Sequence, residues 1–356
     1  MNAVNLKTEY LRDPMGIDVE RPRLFWNCQH GRRQTAFQVV CKDGKGKPLW
    51  DSGKREGDSM RVRYGGSPLK SRQCVLWQVR IWDEAGKAGP WSETAAFEMG
   101  LLRREDWSAR WITGDYRPRK KRRYPVDLFR REIPVDQGLV SARLYITACG
   151  LYEARCNGTK AGMFCLAPGL TDYRRRVQYQ TYDVTRLLHP GANELTVQLA
   201  DGWYRGSVGA WGIRNAYGAE TKFLAQLELE YGDGSRCVVG SDGAWQWSND
   251  GPLRFADNKD GEVVEAWRVP SYRGKARVTK HPVIPCASNN VPVTEHERFT
   301  PDISVAPNGK LLLDFHQNIA GYLDFQVNAH KGDRLFFRFG ELLDKDGNLT
   351  LDNIQC

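Results

Sequence analysis

Alternation of apolar and polar positions with a period of two dominates the chain. Val75, Trp77, Val79 and Ile81 alternate with Leu76, Gln78, Arg80 and Trp82, which describes a strand apolar on one face and mixed on the other. Leu195, Val197 and Leu199 alternate with Thr196 and Gln198. Ala225, Leu227, Leu229 and Tyr231 alternate with Gln226, Glu228 and Glu230, and Gly232-Asp233-Gly234-Ser235 then makes a turn. Leu323, Phe325 and Val327 repeat the pattern, followed by a turn at Lys331-Gly332-Asp333 and the run Leu335–Phe339. No window of about 11 residues sustains helical apolar spacing. The nearest, Val184–His189, is broken by Pro190-Gly191. The pattern predicts an all-β protein built of tandem antiparallel β-sandwiches.

Three blocks separate. Residues 1–103 contain RPRLFW, the strand VLWQVRIWDEAG, Pro90-Trp91-Ser92 and a last strand AAFEMGLL, a layout that resembles a fibronectin type III module. Residues 104–285 form a second block, entered through Trp107, Trp111 and Ile112. A Pro-rich connector (His281-Pro282, Ile284-Pro285, Val291-Pro292) leads to residues 293–356, because proline interrupts ladder bonding and stiffens a linker. Within the second block, Asn157-Gly158 reads as a type I′ turn.

Composition is that of a soluble protein, 41% hydrophobic and 27% charged, so the aromatic count carries more information. Twelve Trp, fourteen Tyr and thirteen Phe can fill sandwich cores or offer faces on which sugar rings stack. The first residues lack the apolar core of a signal peptide, and no window supplies the roughly 18 apolar residues of a membrane span. Nine cysteines, an odd number without a CxxC pair, argue for free thiols and a cytoplasmic setting and against a zinc site. The net charge of +9 includes the run Arg117-Pro118-Arg119-Lys120-Lys121-Arg122-Arg123, flanked by Tyr116 and Tyr124. Without a recognition helix beside it, this reads as a solvated loop, and no nucleic-acid partner is expected.

Two segments carry binding chemistry. Asp201-Gly202-Trp203-Tyr204-Arg205-Gly206, with Trp211, Asn215 and Tyr217 close behind, combines ring faces with an acid and a guanidinium that grip adjacent hydroxyls. The structural alternative has Asp201 capping a turn and Trp203 plugging the end of a sandwich. Asp172 and Tyr173, followed by Arg174–Arg176, form the second candidate.

The elements GLYE, Asn157-Gly158, APGLTDY, YDVT, the Gly191-Ala192-Asn193 turn and DGWYRG occur in series between Tyr145 and Gly206. Tyr217-Gly218, the hairpin 223–239, Trp245 and Trp267 follow, and the run 314–321 and Gly340-Glu341 close the chain. In this order they resemble the N-terminal, non-catalytic part of bacterial α-L-rhamnosidases, glycoside hydrolase family 78. The resemblance implies a jelly-roll carbohydrate-binding-like domain over 104–285 and the first strands of a truncated concanavalin-like sandwich over 293–356. It implies inverting hydrolysis by two carboxylates ~6.5–9.5 Å apart on an (α/α)₆ barrel. No such helices occur here, so no catalytic residue is assigned; Glu153, Glu262, Glu265 and Glu341 are expected to be structural. Some family members bind L-rhamnose in this module with a calcium ion, whose oxygen ligands Asp172, Asp201 and Asn215 would supply; no other cofactor is implied. The expected partners are L-rhamnose-containing glycans and the catalytic domain of the parent enzyme. A free-standing carbohydrate-binding protein and a structural interaction module are the alternatives.

Overall fold

The computed structural model describes every residue except Lys120, Lys121, Ala210, Trp211, Lys331, Gly332, Arg334, Gln355 and Cys356. It forms two compact units, Met1–Thr294 and Glu295–Cys356. The first unit opens with a sandwich. One sheet pairs Asn2–Thr8, Arg23–Gln29 and Arg61–Arg63. The facing sheet runs Met15–Ile17, Ala95–Met99, Cys74–Trp82, Ala36–Asp43, Pro48–Asp51. The predicted inward face of Cys74–Trp82 is fully buried: Val75, Trp77, Val79 and Ile81 meet Leu24, Trp26, Phe37 and Phe97. Trp26 satisfies its buried indole by donating to Gln34 Oε1 at 2.8 Å.

A second sandwich follows in the same unit. Its larger sheet runs Arg277–Val278, Ile112–Thr113, Lys222–Tyr231, Leu139–Cys149, Gln178–Asp183, Cys286–Ala287, with Arg236–Gly240 hairpinned onto Lys222–Tyr231. The facing sheet runs Thr159–Lys160, Leu151–Cys156, Gly191–Ala200, Asp127–Val135, Gln246–Ser248, Gly274–Lys275. Phe129, Leu144, Ile146, Val197, Leu199, Phe223, Leu227 and Trp245 form the layer between them. Asn157 and Gly158 both take positive φ, 49° and 79°, and join Cys156 to Thr159 as a two-residue type I′ turn. The Val184–His189 segment contributes a single 3₁₀ turn at Thr185–Leu187. The Pro-rich connector is stitched into the sheet: Cys286–Ala287 lies parallel to Gln178–Asp183, and Cys286 N–H donates to the Val177 carbonyl at 2.9 Å.

Glu295–Cys356 holds less structure than its pattern predicts. Asp302–Val305 pairs with Leu311–Asp314, and Leu342–Leu343 with Leu349–Thr350. Leu323–Val327 and the Leu335–Phe339 run, expected as strands, are irregular and exposed: Phe325 is 53% and Phe336 84% accessible. Alternation marks a face that seeks burial, and no layer among the described residues of this unit covers that face. The expected turn at Lys331-Gly332 lies outside the described residues.

Candidate functional site

The Gly191–Ala200 strand delivers the chain to Asp201 at one end of the middle sandwich. Gly202 takes φ +51°, and a Cβ there would stand 2.9 Å from the Leu151 backbone nitrogen, so only glycine fits. Residues Gly202–Arg205 then wind into one helical turn where a loop was expected. The turn sets Asp201 and Arg205 four residues apart on one side, and the Arg205 Nε donates to Asp201 Oδ1 at 2.7 Å with both side chains 2% exposed. Asp201 makes no side-chain cap. Its second oxygen accepts from Arg214 Nη2 at 2.5 Å, and Arg214 Nη1 lies 2.9 Å from Asp260 and 3.4 Å from Asp257. Asp257 also accepts the backbone N–H groups of Ser207 (2.9 Å) and Lys259 (2.8 Å), which ties the Leu253–Asp257 strand to the loop.

The network continues inward. Arg205 Nη1 donates to the Tyr116 hydroxyl at 2.5 Å, and Tyr116 donates to Asp127 Oδ2 at 2.9 Å. Trp247 Nε1 donates to the other Asp127 oxygen at 3.0 Å. Burial pushes the Asp127 carboxyl above its ordinary range, opposed by Arg205 and by the Trp247, Tyr116 and Thr221 donors. The same network anchors the basic run. Tyr124 is buried, Arg119 N–H donates to its hydroxyl at 2.8 Å, and Arg123 pairs with Asp260 at 3.0 Å. The run is therefore fastened at its ends, with Lys120 and Lys121 outside the described residues.

The other half of the candidate set is aromatic. Tyr173 meets Tyr204 edge-on at 5.4 Å and Tyr217 at 5.2 Å. Trp203 and Tyr217, both half-buried, pack on this cluster with Trp111, Cys149, Val177 and Leu224. Tyr173 and Tyr204 are buried, so among the described candidate rings Trp203 and Tyr217 present ring surface. The exposed Arg174 lies 5.3 Å over the Tyr217 ring, and its Nε donates to Asp172 Oδ1 at 3.1 Å. Hydrogen bonds from Arg174, opposed by slight burial, hold Asp172 below the usual carboxylate range. Asn215, at φ +60°, donates its backbone N–H to the Arg205 carbonyl at 2.9 Å. Trp211 lies outside the described residues.

Comparison with known proteins agrees along the length of the chain. Residues 3–103 match the Rha78A-like N-terminal immunoglobulin domain, 137–303 the α-L-rhamnosidase N-terminal domain, and 304–356 the bacterial α-L-rhamnosidase concanavalin-like domain. An α-L-rhamnosidase of Formosa agariphila is 31% identical over 97% of this chain and 40% of its own length. The solved Aspergillus terreus α-L-rhamnosidase superposes with a TM-score of 0.87 at 31% identity, over 98% of this chain and 42% of that one. The chain belongs to the α-L-rhamnosidase family. The Streptomyces avermitilis α-L-rhamnosidase, solved in complex with L-rhamnose, gives a TM-score of 0.86 at 25% identity over 99% of this chain and 52% of that one. The chain thus spans about two fifths to one half of the length of the relatives it matches. Residues 3–103, which the sequence likened to a fibronectin type III module, match an immunoglobulin-domain model; the two share the β-sandwich architecture.

The four carboxylates expected to be structural have ordinary surroundings. Glu153 pairs with Arg155 and Lys160, Glu265 with Arg254 and Arg268, and Glu341 bonds Asn318 and Asn353, while Glu262 is exposed on a strand. Both acids among the expected calcium donors are engaged by guanidinium groups. Asp172 faces Arg174 and Arg175, and Asp201 faces Arg205 and Arg214. No group of three His, Cys, Asp or Glu side chains able to hold a metal occurs among the described residues. Asp127, Arg214, Trp247, Asp257 and Asp260 escaped the sequence reading, and Tyr116 entered it only as a flank of the basic run. They lie on separate strands and loops, and only the fold brings them to Arg205.

Proposed function

We propose that this chain is the substrate-side support of an enzyme that hydrolyses terminal α-L-rhamnosyl residues. Its modules are residues 1–103, 104–285 and the opening of a further sandwich from 293. They carry no acid–base pair and offer L-rhamnose-containing glycans a contact at Trp203 and Tyr217, rimmed by Asp172 and Arg174. The observation that carries this reading is the likeness, over almost the whole chain, to a rhamnosidase solved with L-rhamnose. Physical chemistry agrees: half-buried rings accept the C–H face of a sugar, and a neighbouring acid and guanidinium suit vicinal hydroxyls. Hydrolysis is assigned to a catalytic domain of the parent enzyme. A cytoplasmic setting fits the unpaired thiols, three of which (Cys41, Cys149, Cys156) are buried, with burial pushing each up to about 12.

A structural reading of Asp201, Tyr173, Tyr204 and Arg205 is favoured by one observation: all four are buried and mutually engaged. The same chain as a free-standing glycan-binding protein would show the same contact without a partner hydrolase. Calorimetric titration with L-rhamnose, run beside a hydrolysis assay on an aryl α-L-rhamnoside, tests the proposal. Saturable binding without turnover is expected. Turnover abolished by changing one carboxylate of this chain would overturn the assignment of chemistry, and absence of binding would leave the loop a purely structural feature.

A further inference from the structure

The outward face of the long strand Lys222–Tyr231 is polar in sequence yet largely buried. Gln226 is 1% exposed and the Glu228 side chain 15%, whereas the Glu230 side chain, two residues on, is 44% exposed. The first sandwich covers them. Arg72 Nε and Nη2 donate to the two Glu228 oxygens at 2.5 and 2.7 Å, and Nη1 donates to Asp106 at 2.9 Å. Gln226 accepts from Ser108 N–H at 2.7 Å and donates to the Asp106 carbonyl at 2.8 Å. Arg72 is held at φ +66°, a conformation that a non-glycine residue keeps only when its surroundings enforce it.

Around this fork the contact is close. A Cβ on Gly100 would approach the Tyr179 hydroxyl to 2.1 Å, and one on Gly16 would approach Thr181 Oγ1 to 2.0 Å. Glu98 pairs with Arg143 at 3.1 Å, and Asp18 accepts the Ala287 N–H at 3.0 Å. Leu101, Tyr145, Tyr179 and Ala287 close an apolar cluster against Trp107. Trp107 also packs on the cluster of Tyr173 and Tyr204.

We propose that the first sandwich is a brace: with the middle sandwich it forms one rigid body, clamped at Arg72, whose task is to fix the sheet behind the Tyr173–Tyr204 cluster. Its partner surface is the outward face of the middle sheet in the same chain, so the inference stands apart from the sugar reading. A brace of this kind requires the two sandwiches to open together. Native-state hydrogen exchange on the full chain reads this directly. Amides of Cys74–Trp82 and Lys222–Tyr231 should lose protection at the same denaturant concentration. Arg72→Ala removes the fork, and Gly100→Val forces a side chain against Tyr179; at least one should separate the two openings and let Lys222–Tyr231 lose protection at lower denaturant than in the parent. Separate openings in the parent chain, or joint opening that survives in both variants, would overturn the proposal.

Discussion

The two halves of the 201–217 segment share a sequence neighbourhood and have opposite fates. Asp201, Arg205 and Arg214 turn inward and join Tyr116, Asp127, Asp257 and Asp260 in a network of alternating charge. Trp203 and Tyr217 lie on an aromatic cluster and keep part of their surface. An acid and a guanidinium beside aromatic rings suit a sugar, yet here they suit each other. A buried charge must be paired, and the turn pairs Arg205 with Asp201, whose two oxygens are both taken; of the guanidinium, Nη2 alone stays buried without a hydrogen-bond partner. The rings carry no such obligation.

The largest expected effect comes from breaking the ionic half. Asp201→Ala leaves Arg205 buried without its nearest carboxylate and should cost about 3–5 kcal/mol, read as a lowered denaturation midpoint. Arg214→Ala should cost less, about 1–2 kcal/mol, because Arg214 is partly exposed and Asp201 retains Arg205. A loss from Asp201→Ala below 1 kcal/mol would show that the network is not structural.

The halves should also fail at opposite ends of the pH scale. Burial tends to raise Asp260, but Ser207, Arg214 and Arg123 hold it below the carboxylate range. Its contribution is therefore present at neutral pH and lost as pH falls through about 4, where the unfolded chain takes up the proton. Burial raises the Tyr173 and Tyr204 hydroxyls instead. Their contribution holds below pH ~10 and is lost above it, where only the unfolded chain ionises. Thermal midpoints across pH should accordingly show an acid limb softened by Asp260→Asn and an alkaline limb softened by Tyr204→Phe.

The smallest effect concerns Trp107, whose buried indole nitrogen has no hydrogen-bond partner. Trp107→Phe sacrifices no bond and should cost about 1 kcal/mol, from lost contact area alone. A loss of several kcal/mol in thermal denaturation would mean that the indole N–H is satisfied by a group the fold does not reveal.

Strand patterns were legible wherever a second layer exists. Val75–Ile81, Leu195–Leu199 and Ala225–Tyr231 all lie in strands with their predicted apolar faces inward. The same alternation at Leu323–Val327 produced no strand, because period two encodes which face seeks burial and not whether anything covers it. The aromatic cluster was legible in part: Tyr173, Trp203, Tyr204 and Tyr217 do meet. The ionic partners were not, since Asp127 and Asp257 are single acids in strand patterns whose importance arises from tertiary approach to Arg205. The covered face of Lys222–Tyr231 was equally hidden, because in the sequence Gln226 and Glu228 are simply the polar positions of the alternation.

Titration of the chain with L-rhamnose, parent beside Trp203→Ala, tests the division most directly. Exposed ring surface at Trp203 predicts saturable binding in the parent, weakened by about 1–3 kcal/mol in the variant, with a thermal midpoint close to the parent's. A Trp203→Ala protein that binds L-rhamnose as tightly as the parent, or a parent that binds none while the variant's midpoint collapses, would contradict it.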